Sequence, residues 1–440
     1  MELHLWKSVM IKKSILNLLL ILMAGTAWAQ SSGQNISQPF TLEQAYERLE
    51  QNYPVADKAE IQRQITELNR KIARSGLIPE LQIEASTSYQ SDVTDFPFST
   101  PDSEVPTFSK DHYNFSLDVT QPIYDGGRVR TMQESEQHAG NAELARIRSS
   151  LLNVRMQLEQ AWFGILMMQK QVETLKLLHD DIREQLEQVQ ALVRNGVLLP
   201  GEAQVMEAEQ IRVEQELAGI RGDIRAGYRV LSEILGVELS KDRPLEVPED
   251  SGLESLLGNE IRRPEFQLFD SGALQLEAQK NRARADQLPS LSLFTKSAYG
   301  RPGLNAFDDD LQLYWVVGLR ARWSFRNTRN ASMKQDILNL QQRNLESDRQ
   351  AFTRQLQAEL RKAEEEMKAI RQQIEQDEKV LKLREQVVEE KRKQLERGVI
   401  TSTEYMMELN AETRARTQLE LRKIRLAKTI TEYKTKRGQS

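Results

Sequence analysis

The chain has 440 residues, of which 39% are hydrophobic and 28% charged, with 21 glycines and a formal net charge of −5. That balance suits long, solvent-washed helices more than a bulky core, and the acidity disfavours a general nucleic-acid partner. Cysteine is absent, which excludes disulfides, thiolate metal sites and a lipid-bearing amino-terminal cysteine.

At the amino terminus, Lys7, Lys12 and Lys13 precede the apolar run from Ile15 to Met23 and the small-residue site Ala27-Trp28-Ala29. This predicts a signal peptide over residues 1–29, cleaved before Gln30. The run is shorter than the roughly 20 residues a spanning helix needs. Cleavage removes three lysines and one glutamate, so the charge of −5 becomes −7.

Two halves follow with the same order of elements, which predicts tandem repeats over residues 30–240 and 241–440. In the first, a helix from about Val55 to Gly76 leads to a strand at about 80–90, where Leu81, Ile83, Ala85, Thr87 and Tyr89 alternate with polar residues. A loop carrying Pro97, Pro101 and Pro106 separates it from a strand at 113–124, with Phe115, Leu117, Val119, Gln121 and Ile123 on one face. A proline-free stretch from about Arg128 to Asn195 then reads as one helix, roughly 100 Å long at about 1.5 Å per residue. Ile147, Val154, Ala161, Met168, Leu175, Ile182 and Val189 recur every seven residues along it, which is coiled-coil spacing.

The second half repeats this with a helix from Pro264 to Asp286 and strands at 289–299 and 312–325. A second long helix, from about Arg329 to Arg397, carries the heptad series Leu360, Met367, Ile374, Leu381, Val388 and Leu395. The turns match as well: Arg194-Asn195-Gly196-Val197-Leu198 with Glu202 downstream, and Glu396-Arg397-Gly398-Val399-Ile400 with Glu404. A glycine able to turn left-handed ends each long helix, and Pro200 or Ser402 starts the returning one, so each turn closes a helical hairpin.

The final strand is the clearest: Leu313, Trp315, Val317, Leu319, Ala321, Trp323 and Phe325 alternate with a face that carries Arg320 and Arg322. Strands of roughly ten residues with one apolar face fit a membrane barrel with a wet interior, which places Arg320 and Arg322 in the lumen. Four strands cannot close such a barrel, and open edges in lipid leave backbone groups unpaired, so oligomerisation is required.

Val119-Thr120-Gln121-Pro122-Ile123-Tyr124-Asp125-Gly126-Gly127-Arg128 resembles the strand-to-helix signature of TolC-family outer-membrane efflux proteins. Leu77-Ile78-Pro79-Glu80-Leu81 and Leu288-Pro289-Ser290-Leu291 resemble that family's proline-led strand entries, and Thr41-Leu42-Glu43-Gln44-Ala45 its opening helix. The resemblance implies a mainly α protein with four transmembrane strands per protomer. It also implies a homotrimer, whose twelve-stranded barrel in outer-membrane lipid continues into a twelve-helix periplasmic tunnel. It further implies docking of a periplasmic adaptor at Gly196, Val197, Gly398 and Val399, with an inner-membrane transporter reached through the adaptor. Glu404 falls on an acidic aperture position, Met407 replaces a second one, and Glu202 matches an acidic tip residue. The family's arginine after the second glycine is here Ile400, with Arg397 before it instead. Asn327-Thr328 replaces the glycine pair expected before the second long helix.

No catalytic constellation, cofactor fingerprint or metal motif is present, so no enzyme activity, cofactor or metal site is expected. His179 sits on a heptad seam and reads as a hydrogen-bonded interface residue, and Asp308-Asp309-Asp310 as a hydrated loop. The competing readings are an exported coiled-coil structural or adhesion protein and a periplasmic adaptor. The latter normally has one hairpin, where this chain has two.

Overall fold

The computed structural model describes residues 39–93, 108–240, 243–248, 260–305 and 308–438. The expected signal peptide, residues 1–29, and the proline-bearing part of the first strand loop lie outside them. Among the described residues no helix is long and apolar enough to cross a membrane. The chain divides into two compact units, each drawing segments from both halves of the sequence.

One unit takes Glu50–Glu159, Ser251–Gln373 and Lys428–Ser440. Its elements are α2 (Pro54–Ser75), β1 (Glu80–Tyr89), β2 (Asp111–Tyr124), α5 (Pro264–Ala285), β3 (Ser290–Arg301) and β4 (Gln312–Arg322), with the first parts of α3 (Arg128–Arg194) and α6 (Phe325–Glu396). The leading prolines of α2 and α5 sit where a helix has no use for an amide. Gly140 lets α3 lie close to α2, because a Cβ there would fall 2.2 Å from Thr66 Oγ1. Across α5 and α6, the Phe352 ring stands 5.5 Å from Phe266 and 5.9 Å from Phe269.

The four strands form one antiparallel sheet in the order β1-β2-β3-β4. Its register runs Ile83 to Leu117, Leu117 to Ser297 and Ser297 to Trp315, so the alternating residues of all four strands fall on common faces. At Pro122, which has no amide to give the ladder, a bulge shifts the pairing, and Tyr124 lands opposite Leu291 on the apolar face.

The last strand ends sooner than expected: β4 stops at Arg322, and α6 already begins at Phe325 instead of near Arg329. The two long helices are entered differently, and glycine is the reason. Before α3, Gly126 and Gly127 take φ of 70° and 84°, while the Asp125 carboxylate accepts from Gly127 N at 2.8 Å and Val129 N at 2.7 Å. No non-glycine residue has positive φ among those described, so with Asn327-Thr328 in place of glycines the chain passes from strand to helix without a left-handed turn.

The other unit takes Met1–Leu49, Gln160–Asp250 and Ile374–Ala427. It holds most of α1 (Leu42–Asn52), α4 (Pro200–Leu235), most of α7 (Ser402–Lys436) and the later parts of α3 and α6. The heptad seam of α3 supplies Leu175, Ile182 and Val189 to a core completed by Met206, Val213 and Leu217 of α4, Val388 and Leu395 of α6, and Met406 and Leu409 of α7. Three- and four-residue spacing keeps these side chains on one stripe of each helix while charged residues cover the remainder.

Candidate functional site

The sheet presents two chemically opposite faces. Leu81, Ile83, Phe115, Leu117, Leu293, Leu313, Trp315, Val317 and Leu319 lie on one, all exposed, with Trp315 at 69%. Tyr89, Tyr113 and Tyr299 sit toward the ends of β1, β2 and β3 that meet the strand loops, and Tyr124 at the opposite end. The second face carries Glu84, Asn114, Ser116, Asp118, Lys296 and Arg320, which share the other strand parity. The Arg320 guanidinium lies 4.5 Å from the Phe294 ring centroid, a cation–π contact. In β4 the apolar residues are the exposed ones, and Gln312, Tyr314, Val316 and Gly318 between them are half-buried. An antiparallel sheet with one face turned to water has the reverse order. Neither β1 nor β4 has a second strand partner among the described residues.

At the strand loop, Asp309 has a structural job that the three-aspartate run did not suggest. Its carboxylate accepts from Ser109 N and Oγ and from the Arg301 guanidinium at 3.1 Å, tying the approach to β2 to the end of β3. The Ser109 bonds, first among the causes, hold its carboxyl below the usual range.

In the helical unit, both hairpin turns close alike. Gly196 and Gly398 adopt φ of 73° and 70°. Val197 N donates to Leu192 O and Val399 N to Gln394 O, each at 2.9 Å, which satisfies carbonyls the helix ends would otherwise leave open. Val197 and Val399 are left exposed, and a Cβ on Gly398 would stand 3.7 Å from Val197 Cγ1, so the two turns lie side by side.

Glu404 and Glu202, expected from sequence at an aperture and a tip, both cap α7. Glu404 accepts from Thr401 N at 3.0 Å and Thr401 Oγ1 at 3.3 Å, while Glu404 N donates back to Thr401 Oγ1 at 3.3 Å. This reciprocal capping box lowers the Glu404 carboxyl below its ordinary range, the Thr401 backbone bond being the largest cause. Glu202 crosses from the other hairpin, its Oε2 accepting from Ser402 N at 2.6 Å. Arg397 is exposed and makes no ion pair among the described residues, and Glu408 instead pairs with Arg384 at 2.9 Å. Removing the Glu202 acceptor by Glu202→Ala is expected to cost about 1.5–3 kcal/mol, as for other bonds to charged groups. It should appear as faster hydrogen exchange at the Ser402 amide; unchanged exchange would show that the bond contributes nothing.

His179 is hydrogen-bonded to α4, with Nε2 3.1 Å from Glu214 and 3.3 Å from Gln210. Among the described residues no group of acidic or histidine side chains is arranged to hold a metal.

The family model described as outer membrane efflux protein matches residues 45–237. That stretch, about 44% of the chain, is similar to the outer membrane efflux protein family. The chain also shares its fold with solved outer-membrane channels. The CmeC channel of Campylobacter jejuni is 17% identical with a TM-score of 0.69, over 90% of this chain and 85% of that one. VceC of Vibrio cholerae is 16% identical with a TM-score of 0.71, over 91% and 96%. The open state of Neisseria gonorrhoeae MtrE is 15% identical with a TM-score of 0.67, over 90% and 89%. No curated protein matches the sequence. On these likenesses the chain is a channel protein and not an enzyme, in the outer membrane with an extension into the periplasm.

Proposed function

We propose that three copies of this chain close a twelve-stranded barrel in outer-membrane lipid and continue it as a twelve-helix tunnel. Substrates pass through it passively on their way out, in an efflux pump or a type I secretion assembly. The hairpin turns at Gly196-Val197 and Gly398-Val399 are the surface for a periplasmic adaptor, and an inner-membrane transporter acts through that adaptor. Arg320 and Arg322 line the barrel interior.

The observation that carries this reading is the sheet with an exposed apolar face and two edges that lack partners among the described residues. In hydrocarbon each unpaired backbone group costs several kilocalories per mole, so a lone sheet of this kind is untenable there. A second support comes from the helices of the same unit: Ile61, Ile65, Leu68 and Ile72 form an exposed apolar stripe on α2, and Met333, Ile337 and Leu340 another on α6. Contiguous exposed apolar surface of this kind suits burial against further copies.

The purified protein is expected to run as a trimer in detergent and to conduct ions across a planar bilayer. A monomer that never partitions into membranes would leave the exported coiled-coil scaffold as the better account.

Glu404, with Met407 exposed one turn further along α7, is the candidate for an acidic constriction that favours cations. Glu404→Ala removes charge and cap together, whereas Glu404→Gln keeps the capping box, since glutamine also serves at that position. Both are expected to shift the single-channel reversal potential toward lower cation preference. Unchanged potentials would leave Glu404 with its capping role alone.

A further inference from the structure

Away from the hairpin turns, in the same helical unit, α3, α6 and α7 surround a cavity of about 210 Å³. Asp181, Glu184 and Gln185 come from α3, where their spacing puts them on one helix face. Tyr405 and Leu409 of α7 and Val388 of α6 form further walls.

The charges around the cavity do not balance. Arg416 is engaged by Glu385 at 2.9 Å and Glu412 at 2.7 Å, and Arg392 pairs with Glu389. Asp181 and Glu184 make no ion pair or hydrogen bond among the described residues. Five carboxylates therefore face two guanidiniums, leaving a net charge of −3 in the lining. Partial burial and then the Glu412 charge push the Asp181 carboxyl above the ordinary aspartate range.

Two buried polar side chains point the same way. Tyr405 is 2% exposed and Gln185 3% exposed, and neither side chain has a hydrogen-bond partner among the described residues. The Tyr405 phenol is pushed up first by burial and next by the Asp181 charge. Neither polar end is among the side-chain atoms fully shielded from solvent, so both are open to a ligand in the cavity that they line.

We propose that this cavity binds a small alkylammonium ion. Its three N–H donors fit the Asp181 and Glu184 carboxylates and the Tyr405 oxygen or Gln185 carbonyl, all acceptors. Its methylenes lie against Val388 and Leu409, an apolar wall that a bare metal ion would not use. The cavity also exceeds by severalfold the roughly 30 Å³ that one water occupies. The same residues lack the arrangement of three acidic or histidine ligands that a metal requires.

Isothermal titration of the full-length protein in detergent with n-butylamine tests this, with MgCl₂ as the competing probe. Saturable binding at one site per chain is expected, with no displacement by equimolar Mg²⁺. Tyr405→Phe, which removes only the hydroxyl, should weaken it roughly three- to tenfold, and Asp181→Asn about tenfold or more. Absence of saturable butylamine binding, equal affinity in both variants, or displacement by Mg²⁺ would each overturn the assignment. The heat of binding is read whether or not the protein conducts, so failure here leaves the channel reading standing, and the reverse holds too.

Discussion

Arginine in place of Val317 is expected to destabilise the bilayer-folded protein by about 2–4 kcal/mol, the cost of a cationic side chain at the lipid face near the midplane. Val317 stands near the middle of β4, paired with Thr295 and 54% exposed. In a water-soluble sheet an exposed valine tolerates such a change within about 0.5 kcal/mol, so the size of the effect identifies the solvent that the face meets. Val316→Arg, one residue away on the face that also carries Arg320, should cost clearly less, because that side faces the lumen in the proposed barrel. Urea titration of protein refolded into vesicles measures both, and equal penalties would contradict the assignment of the two faces.

Trp162→Ala is expected to cost about 3–5 kcal/mol through the cavity it leaves. Trp162 is 0% exposed, and its ring lies 5.6 Å from that of Phe40 at 47°. Its indole N–H donates to Glu246 O at 3.2 Å, in the strand-like strap where Phe40 N also donates to Pro244 O and Glu246 N to Phe40 O. Alanine therefore empties a large volume and strips the Glu246 carbonyl of a donor. Trp162→Phe keeps most of the packing and loses the bond, so its effect should be smaller. The comparison is made by urea unfolding followed through the helical signal, and a Trp162→Ala midpoint equal to wild type would refute the packing argument.

The four strands and the two long helices were legible because period-two and period-seven patterns depend only on which side chains are apolar. The alternation of Leu313, Trp315, Val317 and Leu319 also gave the residues that share a face, which the register of β3 and β4 bears out. The bulge at Pro122 and the early start of α6 at Phe325 were not legible, since both follow from backbone conformation and not from hydrophobic order. The partner of Glu202 was hidden for a related reason: it is the Ser402 amide, a group that every non-proline residue possesses. Thr401 and Glu404 do show the spacing of a capping box, a local role that the aperture position implied by the family resemblance does not convey. The unpartnered Tyr405 and Gln185 depend on three helices meeting, which one helix's sequence does not encode.

The bond from Ser402 to Glu202 makes the start of α7 depend on the neighbouring hairpin. Any movement that parts the two hairpins must break this latch and leave a helix amide short of its acceptor. At about 1.5–3 kcal/mol, that single contact alone thins the parted population by roughly ten- to a hundredfold. The structure holds the two hairpins together through this bond, and parting them requires a replacement acceptor or the equivalent work.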